Sequence, residues 1–207
     1  MKKVSLAILI LVLLGLFAFA DYYANLPGGI PKPTPSLPSP GTETGEPMQA
    51  ANLPNITKQI LDQGGLSGNY QIEKRTRSTE LFESFDMSQQ ANIVIFRNIL
   101  INADTEGQLP IYVYEIHGPQ GQGSLTYLNI KLAVIEQLGS EEGLNETGDI
   151  GYNSLFYNDE HNPNTGFLIA QVEDIVFGFK YNKKSSQDFD FIKSLVNNYM
   201  QSFSNSN

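Results

Sequence analysis

Between Val4 and Ala20 the only polar side chain is Ser5; beyond that stretch apolar residues recur at spacings that mark out separate elements. Pro54 to Gln63 puts Ile56, Ile60 and Leu61 on one side and runs into Gly64-Gly65, the pattern of a short helix and its stop. Tyr70, Ile72, Lys74 and Thr76 alternate as in a strand, and Leu81 to Asp86 predicts a shorter one. From Asn92 to Ile101, Ile93, Ile95, Ile99 and Ile101 fall on one face and Val94, Phe96 and Leu100 on the other, which predicts a strand covered on both sides. Arg97 breaks the isoleucine face and needs a carboxylate, for which Glu115 is the candidate. After a turn at Asp104 to Leu109, Pro110 to His117 predicts a strand that forms a hairpin with the preceding one.

Ser124 to Leu138 fits two periods. Leu128, Ile130, Leu132 and Val134 alternate, while Leu125, Leu128, Leu132, Ile135 and Leu138 repeat helically. Length, the serine at the cap position and Gly139 as a stop favour helix. Gly139 to Gly148 reads as a polar acidic loop. Tyr152 to Tyr157, Phe167 to Val172 and Ile175 to Tyr181 read as strands, the last two joined tightly through Glu173-Asp174. The chain closes on an amphipathic helix: Ser185 to Asp188 forms a capping box, and Phe189, Ile192, Val196, Tyr199 and Phe203 make the apolar stripe. Helix, strands, helix, strands, helix predicts an α+β fold, an antiparallel β-sheet covered by helices.

The apolar run sets the expected address. Lys2 and Lys3 before it and Asp21 after it orient the N-terminus inward and send the remainder outward. Residues 1-20 fit a secretory signal peptide cleaved after Ala20, with Ala18-Phe19-Ala20 before the cut. They also fit an N-terminal membrane anchor, a transmembrane helix spanning at residues 4-20 with Tyr22-Tyr23 at the interface. The next segment tips the balance to the anchor. Residues 21-50 carry seven prolines, from Pro27 to Pro47, among Gly, Ser and Thr, a disordered, extended stalk with a use only if something holds its other end. One globular domain, 51-203, and a short tail, 204-207, complete the division.

Charge narrows the partners. Setting aside Lys2 and Lys3, eleven basic residues face twenty-two acidic ones, a balance that disfavours nucleic acid and anionic lipid headgroups. No cysteine is present, which excludes disulfides, thiol nucleophiles and cysteine-held metals.

Candidate chemistry is sparse. Glu115 and His117 share a strand face two residues apart, the spacing of a base and its orienter, with Ser124 the nearest nucleophile but no nucleophile elbow around it. Gly118 to Ser124 lies where a phosphate-cradling loop would, yet lacks the lysine such a loop needs. Asp159, Glu160, Asn162 and Asn164 gather hard oxygen ligands in one loop, a calcium-type set without the glycine and glutamate positions of an EF-hand. Apart from that calcium no cofactor is expected. Tyr112, Tyr114, Tyr152 and Tyr157 are spaced to emerge on strand faces and, with Glu115 and His117, form the candidate contact set for a ligand or partner.

Gly148-Asp149-Ile150-Gly151-Tyr152 leading into a strand, the hairpin Phe167 to Tyr181 and the terminal helix together resemble the C-terminal half of small exported domains of the PsbP/Mog1-like kind. That resemblance implies scaffold and partner-binding roles more than catalysis. The expectation is therefore an extracytoplasmic, tethered or secreted, non-enzymatic binding domain. The alternatives are a hydrolase using Glu115 and His117, and a structural subunit of a cell-surface assembly.

Overall fold

Among the described residues the chain forms three helices and nine strands. The computed structural model describes residues 53–90 and 92–204; the expected anchor or signal, the stalk and the tail from residue 205 lie outside them. Helices α1 (Ile56–Gln63), α2 (Gly123–Leu138) and α3 (Ser186–Ser204) accompany β1 (Tyr70–Ser78), β2 (Glu80–Leu81), β3 (Phe85–Asp86), β4 (Val94–Asn102), β5 (Ile111–His117), β6 (Leu144–Thr147), β7 (Asn153–Tyr157), β8 (Thr165–Val172) and β9 (Ile175–Asn182). Seven strands form one antiparallel sheet in the order β1-β4-β5-β9-β8-β7-β6, and β2 pairs with β3 as a separate hairpin. The α+β reading, an antiparallel sheet covered by helices, holds.

Each face of the sheet has its own core. On one, Leu100, Val113, Leu168, Phe177 and Phe179 pack against Ile56 and Ile60 of α1 and Phe191, Ile192, Leu195 and Val196 of α3. On the other, Ile95, Tyr114, Ile169 and Val176 meet Tyr127, Ile130 and Val134 of α2 and Leu81, Phe82 and Phe85 of the β2–β3 hairpin. Alternation along β5 and β9 feeds both cores at once. The hairpin sits over Gly178, where a Cβ would lie 2.8 Å from Leu81 and 3.2 Å from Phe82.

Several expectations need correction. The acidic stretch after Gly139 contains β6, whose four residues pair with β7 at the sheet's far edge. A run so short and polar carries no period to read. Gln122 stands at the N-cap position of helix α2 without a side-chain capping bond, and Ser124 lies inside the first turn. The stripe of α3 is centred on Phe191, Ile192, Leu195 and Val196, and Phe203 is exposed. Strand β4 is covered on both faces only over its first half: Ile95 is buried, while Ile101, at the end beyond the hairpin, is 41% exposed.

Candidate functional site

Helix α1 begins at an ionised side chain from another element. Asn55 caps it by accepting from the Lys58 backbone N–H, yet the N–H groups of Ile56 and Thr57 still need acceptors. The Glu115 carboxylate, on β5 beneath, supplies them: Thr57 N–H donates to Oε1 at 2.7 Å and Ile56 N–H to Oε2 at 3.3 Å. Asn98 Nδ2 on β4 donates to Oε1 at 3.0 Å and Arg75 Nη2 on β1 to Oε2 at 3.2 Å. Arg75 Nη2 also donates to the Pro54 carbonyl at 2.9 Å, so the chain entering α1 is tied to the same guanidinium. Four donors fill the positions around a carboxylate that is fully buried.

Arg75 reaches this carboxylate because β1 is bulged. Ile72 pairs with Leu100 and Lys74 with Ile99, leaving Glu73 as the extra residue. One inserted residue reverses the parity of everything after it, so Arg75 joins the Tyr70 and Ile72 face in place of Lys74. The guanidinium lies 3.9 Å from the centroid of Phe96, whose ring also meets His117 edge-on.

His117 is 3% exposed, with Nε2 3.5 Å from Glu115 Oε2. The two expected partners do come together, but in the interior. Burial opposes charge on Glu115, while His117, Thr57 and Arg75 favour it; the balance holds the carboxyl below the ordinary glutamate range. An anion with its lone pairs committed to a helix and two strands is a docking group for α1. The Ser124 hydroxyl donates to Gln171 Oε1 at 3.4 Å and takes no part in the cluster. Arg97 faces the other side of the sheet, where Nη1 pairs with Glu83 at 2.5 Å; the expected partnership with Glu115 belongs to Arg75.

The four tyrosines divide. Tyr114 is fully buried, stacked edge-on against Phe82, and burial pushes its phenol up; as a contact group for a partner it is corrected, as are the buried Glu115 and His117. Tyr157 packs between Phe85 and Phe167. Tyr112 is half-buried at the sheet's open end, with Lys180 Nζ 5.1 Å from its centroid. Tyr152 is 48% exposed and its hydroxyl donates to Glu173.

The two loops turn inward. In the oxygen-rich loop Asp159 accepts from His161 N–H at 2.9 Å and Asn162 Nδ2 at 2.6 Å, and these bonds hold its carboxyl low. Lys183 donates to Asn158 Oδ1 at 2.8 Å and, through its backbone, to the Asn164 carbonyl, so its side chain lies along this loop. Asp159, Glu160, Asn162 and Thr165 line a shallow cleft there, and no cluster of three or more His, Cys, Asp or Glu of metal-site geometry occurs among the described residues. In the glycine loop Gly121 N–H donates to Asp174 at 2.9 Å, so a carboxylate takes the place a phosphate would need. Gly123 lies so close to the β8–β9 turn that a Cβ would fall 1.7 Å from the Glu173 carbonyl oxygen.

A second buried carboxylate anchors α3. Asp188, fully buried, accepts from Tyr70 hydroxyl at 2.7 Å, Gln108 Nε2 at 2.5 Å and Asn182 N–H at 3.3 Å. Burial, and then this carboxylate, push the Tyr70 phenol up to about 12. Sequence reasoning placed Asp188 in the capping box but missed its reach to β1.

No family model matches the chain, and neither a curated protein nor a solved structure matches it.

Proposed function

We propose that the chain is an extracytoplasmic domain, tethered by residues 4-20 or secreted after cleavage at Ala20, that acts by binding a partner. The lysine-flanked apolar run and the proline-rich stalk of the sequence support the address and the spacing from the membrane. The commitment of Glu115 supports binding over catalysis: its oxygens accept from Ile56, Thr57, Asn98 and Arg75, and it and His117 are buried, so the carboxylate serves the start of α1. Kinship with PsbP/Mog1-like domains belongs to the same proposal and rests on the sequence alone, Gly148 to Tyr152 leading into a strand, the hairpin Phe167 to Tyr181 and the terminal helix.

A second reading, a subunit of a surface assembly, is favoured by one observation. Leu125, Leu128 and Leu132 make an exposed ridge on α2, 50%, 46% and 53% accessible. Sedimentation of the full chain tests it: a concentration-dependent dimer or oligomer lost in Leu128→Glu supports the assembly, and a monomer at all concentrations removes it.

Sidedness is open to direct test because the chain has no cysteine of its own. A single cysteine at the exposed Lys184 (Lys184→Cys) is expected to react with a membrane-impermeant maleimide on intact cells. Reaction only after lysis would overturn the proposal.

A further inference from the structure

We infer that the free edge of β1, from Lys74 to Ser78, is a docking strand for an extended, acidic segment of a protein partner, an inference that rests on the binding reading above. Among the described residues strand β1 pairs on one side only, with β4, so its other side offers backbone donors and acceptors that none of these residues pairs. The opposite edge, β6, is blunted by its length of four residues; β1 runs for nine, and after the bulge its pairing with β4 is regular from Lys74 to Ser78.

Charge selects the occupant. In a chain with a formal net charge of -9, Lys74 to Ser78 carries three cations and no carboxylate, Glu73 being the bulged residue before it. Arg75 is spent on Glu115, but Lys74 and Arg77 are exposed and have no carboxylate in ion-pair reach among the described residues. They lie on opposite faces of the sheet, Lys74 beside Ile99 and Arg77 beside Phe96. An added strand would therefore meet a cation with acidic side chains of either parity.

A second copy of the chain does not fit, because β1 against β1 would set the Lys74 and Arg77 side chains of the two copies against one another.

The test is a titration of the full chain in detergent micelles with a short labelled peptide of alternating threonine and glutamate, beside the same peptide N-methylated at every second amide. Saturable binding is expected, weakened about tenfold or more both by N-methylation and by Lys74→Glu with Arg77→Glu, with slowed amide exchange confined to β1. The double variant should keep the wild-type unfolding midpoint, since both side chains are exposed. Lack of binding overturns the inference, as does equal binding of the N-methylated peptide or by the charge-reversed chain. Protection of β1 without any peptide also overturns it, assigning the edge to the chain's own Glu43 to Glu46 stretch if independent of concentration and to a second copy if not. If a surface partner is captured on intact cells equally by wild-type and charge-reversed chains, the edge is wrong and the binding reading stands.

Discussion

Replacing Glu115 by glutamine keeps the shape of the side chain and removes its charge, so its cost isolates what the carboxylate does for α1. Glutamine retains one oxygen, but its amide nitrogen must face donors: Thr57 N–H and Asn98 on one side, or Ile56 N–H and Arg75 on the other. Whichever way it turns, a donor meets donors and the half-buried Arg75 loses its counter-ion. Removing one partner of a buried charge pair costs about 3 to 5 kcal/mol, and Arg75, with 23% of its side chain exposed, recovers some hydration, which places the expected loss near 3 kcal/mol. In a domain of this size that lowers the thermal midpoint by about 6 to 12 °C. The assay is denaturant unfolding of wild type, Glu115→Gln, Arg75→Met and the double variant. Because both single changes break one network, the double variant should be scarcely worse than Glu115→Gln alone, with a coupling above about 1 kcal/mol. A loss below about 1 kcal/mol, or additivity of the two changes, would refute the role assigned to the carboxylate.

Further outcomes follow from the same structure. The Glu115 carboxyl sits below its ordinary range, so its contribution is fully present above the unfolded value of about 4.3 and disappears as pH falls through the lower folded one; unfolding curves of wild type and Glu115→Gln should differ fully above about pH 5 and draw together progressively as the pH falls below the unfolded value. Tyr70→Phe removes the bond to buried Asp188 and should cost about 1.5 to 3 kcal/mol, read by denaturant midpoint. The wild type's raised Tyr70 phenol favours the folded state below about pH 10, and that advantage is lost as pH rises towards about 12; Tyr70→Phe should lack this alkaline limb. Gly123→Ala drives a Cβ into the Glu173 carbonyl, which is main chain and cannot swing aside, so a loss of about 3 kcal/mol or non-folding is expected by circular dichroism. Calcium should leave the thermal midpoint unchanged, since Asp159 is engaged by His161 and Asn162; a saturable rise would show that the loop opens to a cation.

The period of the apolar residues made most of the fold legible. Strands β4, β5, β8 and β9 and helices α1 and α3 each repeat at their own spacing, and Gly139 settled the ambiguous Ser124 to Leu138 stretch by adopting the left-handed conformation that ends α2. The site was only half legible. Glu115 and His117 share a face by strand parity alone, and that was visible; Arg75 was not, because the bulge at Glu73 reverses parity and leaves no mark in a charged, surface-edge sequence. Arg97 did stand out as a break in the isoleucine face, but its carboxylate is Glu83 on the hairpin, while the neighbouring Asn98, on the opposite face, is the β4 residue that reaches Glu115. Tyr114 misled for a general reason: tyrosine suits both a contact surface and a covered sheet face, and which of the two applies is decided by what packs above it, here the β2–β3 hairpin.

Cross-linking on intact cells, with an impermeant reagent and the full chain in the cells that make it, tests the account most directly. The account predicts a discrete adduct between the domain and one other surface component, formed at the same level by a His117→Gln chain. A domain that is labelled outside yet yields no adduct, or one whose His117→Gln variant retains its fold and its partner but loses a measurable turnover of substrate, would contradict it.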